Sequence, residues 1–167
     1  MSNPRVSETA TLVRLLVEAK IEFIVVGMSA AVFLGVPATT IDLDIVHRRT
    51  PDNIGRLEGL LAKIGGFYRH DFANRKLAPT TEALAGRGHQ NLMTDHGPLD
   101  VLCELDGLGY EELLPRSIVV ADGPLSLHVL DLPTLIEVKT KAGRPKDKVA
   151  LPLLLATLDE RLRRGDG

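Results

Sequence analysis

Residues 40–46 place two carboxylates among apolar side chains in a stretch with the composition of a β-strand. Successive side chains of an extended strand point to opposite faces, so Asp42 and Asp44 share one face. The intervening apolar residues, Ile41 among them, share the other face and are expected in a core. The two aspartates are then about 7 Å apart at their backbones. Burying two unpaired anions costs more free energy than the packing of one strand can return. The pair therefore needs solvent, a basic partner or a cation.

A divalent cation is the partner whose chemistry fits this pair best. Mg²⁺ is held by one or two carboxylates together with waters and phosphate oxygens. Asp100 is a third carboxylate and lies in another short apolar strand, over residues 99–104. Two aspartates on one strand and a third on a neighbouring strand can hold a pair of metal ions for phosphoryl transfer. Taken alone, Asp42 and Asp44 also fit a solvated strand edge, and Asp100 also fits a turn cap or a partner of an arginine.

A glycine turn precedes the aspartates. Residues 22–26 have the β-branched and aromatic composition of a buried strand, Gly27 ends it, and a short helix is expected over residues 28–34. The amide groups at such a helix start, together with the Ser29 hydroxyl, favour phosphate binding. A glycine after a strand is also consistent with a tight turn that has no ligand.

The C-terminal portion, from about residue 133, is predicted to be helical. Lys139 lies on a helix over residues 133–142 and can supply a cation to the phosphates, although an exposed charge is the alternative. Arg144 and Asp147, at the start of the next helix, fit a structural ion pair or a helix start.

Composition bounds the class of protein. The chain has 167 residues, enough for one domain over 1–167 with its own core, and its net charge of -2 argues against a general nucleic-acid-coating protein. Its single cysteine, Cys103, excludes an internal disulfide framework and is expected to be a buried structural thiol. Since no membrane span and no leader pattern is visible, a cytoplasmic protein without membrane contact is expected.

The remaining elements follow from local patterns. Residues 88–94 and 99–104 are predicted to form an antiparallel hairpin, and strands are expected over residues 117–121 and 125–130. Residues 67–86 carry the weakest pattern, with a short strand at 67–70 as one option. Alternating helices and strands favour an α/β (α+β) fold.

The order of these motifs along the chain resembles that of the minimal nucleotidyltransferase family. The motifs that carry the resemblance are the glycine turn at residues 25–31, the paired aspartates at 40–44, the lone aspartate at 94–101 and the lysine helix at 135–147. The sequence is most similar to the AbiEii-type toxin nucleotidyltransferases and their small bacterial relatives, over about residues 22–150. The resemblance implies a mixed β-sheet flanked by helices. It also implies transfer of a nucleoside monophosphate from a nucleoside triphosphate, such as ATP, with Mg²⁺ or Mn²⁺.

The resemblance assigns roles residue by residue. Asp42, Asp44 and Asp100 are implied to be metal ligands and, together with Lys139, catalytic residues. The residues implied to bind the nucleotide are Gly27, Ser29, Lys139 and Arg144.

Two positions depart from the pattern. Met28 stands between Gly27 and Ser29, where many relatives have Gly-Gly or Gly-Ser, and Ala38 stands where many have an arginine. A missing phosphate-binding cation is consistent with a different acceptor, a residue supplied by a partner or a degenerate enzyme.

The expected function is transfer to an RNA or protein acceptor, as a component of a toxin–antitoxin pair with an antitoxin partner. The alternatives are an antibiotic-modifying nucleotidyltransferase that takes an aminoglycoside-like acceptor, and a non-catalytic module that binds a nucleotide or a partner.

Overall fold

The structure is a computed structural model that describes the backbone of residues 4–165 and the side chains of residues 8–165. Short runs of β-branched and aliphatic residues, each bounded by glycine, proline or aspartate, form its strands. The strands are β1 (Phe23–Val26), β2 (Leu43–His47), β3 (Phe67–Tyr68), β4 (Gln90–Thr94), β5 (Gly97–Leu102), β6 (Ser117–Asp122) and β7 (Leu125–Leu130). The helices are α1 (Pro4–Glu18), α2 (Gly27–Phe33), α3 (Pro51–Lys63), α4 (Thr81–Ala85), α5 (Tyr110–Leu113), α6 (Leu132–Ala142) and α7 (Pro145–Arg163).

The strands form one mixed sheet with the order β3-β4-β5-β2-β1-β7-β6. β2 runs parallel to β5, and β1 runs parallel to β7, while all other neighbours are antiparallel. All four residues of β1 are buried, as expected for a central strand that is covered on both faces. The predicted α/β class with a mixed sheet flanked by helices is therefore confirmed.

Helices pack around the central strands. α1 contacts β5, β7 and α3, while α2 contacts β1, β2 and α6. α7 packs mainly along α6. The core consists mostly of aliphatic side chains from the central strands and from α1 and α3. No helix among residues 4–165 is long and apolar enough to cross a membrane.

The hairpin of β4 and β5 and the pair β6 and β7 confirm the strands predicted from local patterns. The N-terminal helix begins at Pro4. α7 runs from Pro145 through Pro152 to Arg163.

The prediction for the start of the aspartate strand is wrong. β2 begins at Leu43, so Asp42 lies in the bend before the strand, and Ile41 is 52% exposed instead of packing in the core. The backbone carbonyl of Asp42 accepts hydrogen bonds from the hydroxyls of Ser29 and Thr40. Because side-chain hydroxyls already donate to this carbonyl, regular sheet pairing starts one residue later, at Leu43.

Candidate active site

The register of two parallel strands brings carboxylates from distant parts of the chain together. β2 pairs with β5 so that Asp44 lies directly beside Asp100, and Asp44 also lies opposite Val26 of β1. Directly paired residues of neighbouring strands project to the same face and lie about 5 Å apart. The two aspartates therefore face each other in the middle of the sheet.

The carboxyls of Asp44 and Asp100 are close neighbours because the two residues are paired in β2 and β5. The pKa of Asp44 is raised to about 8, first by burial of its carboxyl, then by the hydrogen bond to Asp100 and by the negative charges of Asp100 and Asp42. Two carboxylates so close together cannot both stay ionised in a low-dielectric setting. The Asp44 carboxyl consequently keeps its proton at neutral pH until a cation compensates its charge.

Gly27 makes room for the Asp44 carboxylate. Its φ is +63°, and a β-carbon at this position would lie 2.6 Å from Oδ2 of Asp44. Any side chain here would overlap the carboxylate and would also be strained by the left-handed backbone. Gly27 therefore belongs to the site because the absence of a side chain leaves room for the carboxylate of Asp44.

Ser29 fixes the backbone between the two strand-associated aspartates. Its hydroxyl donates to the carbonyl of Asp42 over 2.7 Å and accepts from the amide of Asp44 over 3.1 Å, and the residue is buried. The hydroxyl is thereby committed to shaping the turn that presents the carboxylates. Its contact with phosphate stays a prediction.

Arg69 is the site residue that the sequence patterns do not reveal. Nη1 of Arg69 lies 2.5 Å from Oδ1 of Asp100, and Nη2 lies 3.7 Å from Oδ2 of Asp42. The side chain is 15% exposed. The alternative that Asp100 pairs with an arginine is therefore observed. Position 38 carries an alanine and no positive charge, whereas Arg69, in the segment after β3, brings a positive charge to the aspartates.

Lys139 and Arg144 meet on a single buried carboxylate. Nζ of Lys139 lies 3.2 Å from Oδ1 of Asp147, and Nε of Arg144 lies 2.7 Å from Oδ2. The side-chain hydrogen bond from Arg144 is the main reason why the pKa of Asp147 falls to about 2, and Lys139 adds to it. The predicted ion pair of Arg144 and Asp147 is present, and Lys139 is buried instead of exposed.

Most of these groups border one cleft of about 440 Å³. Its acidic wall carries Asp42, Asp44 and Asp100. Its basic wall carries residues from the end of α6 and the start of α7: Lys139, Arg144 and Lys146. Gly27 and Met28 line the cleft as well, together with His89 and Asn91.

The donor set of the acidic wall suits a hard divalent cation. Carboxylate oxygens are the ligands that Mg²⁺ and Mn²⁺ prefer, and burial, followed by the neighbouring carboxylates, raises the pKa of Asp44. Within residues 8–165, no three acidic, histidine or cysteine side chains already converge as a ligand set. Arg69 pairs with two of the three aspartates in this arrangement.

A scan against protein-family models and a search of curated proteins find no match to the chain. Among solved structures, the fold is similar to the crystal structure of a "putative nucleotidyltransferase" from Thermotoga maritima, with a TM-score of 0.59. The two sequences are 18% identical, and the alignment covers 93% of this chain and 96% of the other. At this identity the likeness concerns the fold, and the chain has the mixed α/β fold of a nucleotidyltransferase.

Proposed function

We propose that this protein is a metal-dependent nucleotidyltransferase that moves a nucleoside monophosphate from a nucleoside triphosphate to an RNA or protein acceptor. The observation that carries the proposal is the pairing of Asp44 with Asp100 in adjacent strands, with Asp42 near them, in a cleft that Lys139, Arg144 and Lys146 also line. A pair of buried carboxylates in a cleft with a perturbed pKa is typical of functional sites. The fold similarity supports the same activity class.

The basic wall fits the triphosphate. Phosphoryl transfer depends on positioning and on neutralising the charge of the phosphates. Lys139 and Arg144 are held in place by the buried carboxylate of Asp147, so their positions are fixed before a ligand arrives. Lys146 adds a third positive charge to the same wall. These groups are proposed to bind the phosphate oxygens of the nucleotide.

The acidic wall fits the metal and the acceptor. Asp42, Asp44 and Asp100 are proposed to hold Mg²⁺ or Mn²⁺, which would supply charge neutralisation at the transferred phosphate when bound. Asp44 would lose its proton as the cation binds, since a positive charge favours the ionised carboxylate. Asp100 lines the cleft together with His89 and Asn91. We propose that its carboxylate takes the proton of the acceptor hydroxyl.

The toxin role and an antitoxin partner are part of the same proposal and rest on the resemblance of the sequence. A cytoplasmic location is proposed with them because a single cysteine suits a reducing compartment. The second candidate function is a non-catalytic nucleotide-binding module. It is favoured by one observation, the pairing of Arg69 with Asp42 and Asp100 where a metal would otherwise lie.

The deciding experiment is Mg²⁺-dependent transfer of label from each of the four α-labelled nucleoside triphosphates to total RNA, total cell protein or an aminoglycoside panel. Asp44→Asn is the negative control, and Asp159→Asn, on the exposed side of α7, is the matched control. We expect label in one acceptor class with the parent and with Asp159→Asn only. Nucleotide binding without label in any class would favour the non-catalytic module, and label only on aminoglycosides would favour antibiotic modification.

A further inference from the structure

The position of Arg69 is fixed by contacts with the backbone of β4. Its amide donates to the carbonyl of Asn91 over 3.1 Å, which extends the pairing of β3 with β4 by one residue. Its side chain then crosses β4, and Nη1 donates to the carbonyl of Leu92 over 3.0 Å. The backbone of Arg69 and its guanidinium are thus each held by a carbonyl of the segment that forms β4.

From this position the guanidinium reaches β5 and the bend before β2. It contacts Oδ1 of Asp100 at 2.5 Å and lies 3.7 Å from Oδ2 of Asp42. No such contact joins it to Asp44, which is hydrogen-bonded to Asp100 instead. Because the guanidinium group stays protonated at any physiological pH, Arg69 is a permanent positive charge between two of the three aspartates.

A divalent ion that bridged Asp42 and Asp100 would need the oxygens that now face Arg69. It would also stand within a few ångströms of a like charge that is screened from water, since only 15% of the Arg69 side chain is exposed. The two cations therefore exclude each other at this position. We infer that Arg69 is a built-in cation that competes with a divalent metal ion for Asp42 and Asp100.

The competition determines how many metal ions the site holds. This inference rests on the proposed function, because it concerns the metal site assigned there. With Arg69 in place, the oxygens left for an ion are those of Asp44, Oδ1 of Asp42 and Oδ2 of Asp100. Three aspartates without the guanidinium would have room and negative charge for one more ion. The chain therefore holds one divalent ion fewer than its carboxylates alone would hold.

The test counts Mn²⁺ ions per chain in the whole protein, from the free-ion signal in electron paramagnetic resonance during a titration. The variants are Arg69→Ala and Arg69→Gln. The matched control is Arg75→Ala, because Arg75 lies in the same segment and pairs with Asp71 at the surface. We expect both Arg69 variants to bind one Mn²⁺ more per chain than the parent, and Arg75→Ala to bind the parent number. An unchanged or lower number in folded Arg69 variants overturns the inference.

Two further measurements keep the outcomes separate. If an Arg69 variant is unfolded in the presence of a chelator, Mn²⁺ should restore its cooperative thermal transition, because the ion replaces the lost positive charge of the guanidinium. Failure of Mn²⁺ to restore this transition also overturns the inference. Asp44→Asn should lower Mn²⁺ binding in both the parent and the Arg69→Gln background. If the Arg69 variants bind the same number of Mn²⁺ ions as the parent, and the parent still transfers label, only the role of Arg69 is overturned. Absence of both Mn²⁺ binding and transfer overturns the proposed function.

Discussion

Gly27 faces the carboxylate of Asp44 so closely that a β-carbon at position 27 would lie 2.6 Å from Oδ2. This contact joins the start of α2 to the middle of the sheet. The glycine is thus part of the geometry of the carboxylate cluster.

Gly27→Ala is expected to abolish transfer and Mn²⁺ binding, because the methyl group displaces the Asp44 carboxylate. The left-handed backbone adds a loss of stability of about 1–2 kcal/mol. Gly123→Ala is the matched control, since Gly123 has a φ of +61° and a β-carbon there would meet nothing within 4 Å. Urea unfolding and a transfer assay should show a similar loss of stability in both variants and loss of transfer in Gly27→Ala only. Equal transfer in the two variants would contradict the proposed contact.

The stability of the metal-free protein should fall as pH rises from about 5 to 8. The pKa of Asp44 is raised to about 8 in the folded chain, first by burial, whereas in the unfolded chain it lies near 3.8. The folded state therefore binds more protons over this range, and its advantage is lost as pH rises through the folded pKa. The slope for one proton is at most about 1.4 kcal/mol per pH unit.

Asp44→Asn isolates this effect, because its amide still donates to Asp100 but does not titrate. Unfolding free energies measured with urea and a chelator at several pH values should fall less steeply for the variant than for the parent. Parallel profiles would show that Asp44 is not the titrating group.

Asp147→Ala is expected to lower the free energy of unfolding by about 3–5 kcal/mol, because it leaves the buried ammonium of Lys139 without its partner. Arg144 is 57% exposed, so Arg144→Ala should cost under about 1 kcal/mol while weakening nucleotide binding. Denaturant unfolding and nucleotide titration measure the two effects. A loss of stability as small for Asp147→Ala as for Arg144→Ala would rule out a buried pair.

Cys103 should not react with a thiol reagent such as DTNB in the native protein. The residue is buried, its Sγ donates to the carbonyl of Arg87 over 2.6 Å, and burial, followed by the charge of Glu104, raises the pKa of the thiol. The thiolate that attacks the reagent is therefore scarce and inaccessible. Colour development should begin only in denaturant, and rapid full labelling of the native chain would contradict the buried position.

Sequence patterns predicted the elements that depend on neighbouring residues. The hairpin of β4 and β5, the pair β6 and β7 and the helices α6 and α7 follow from alternation, turn residues and helix starts. The pairing of Asp44 with Asp100 depends on the register of two distant strands, which local patterns do not encode, and it was expected only through the resemblance to a family. Ile41 was placed in the core wrongly, because side-chain hydrogen bonds to the carbonyl of Asp42 delay the strand.

Arg69 could not be predicted from its surroundings in the sequence. It follows a two-residue strand in a segment without apolar periodicity, where arginine most often indicates an exposed charge. Its role depends on a side chain that crosses β4 to reach β5, a distance that only the folded sheet defines.

The parallel pairing of β2 with β5 requires a long connection over residues 48–96, and this connection carries α3, β3, α4 and β4. The aspartates lie before and after this connection, whereas Arg69 lies within it. The three carboxylates and the positive charge of Arg69 are therefore encoded in separate parts of the chain. If Arg69 competes with a metal ion as proposed, substitutions around β3 would change the cation dependence of the site and leave the carboxylate register intact.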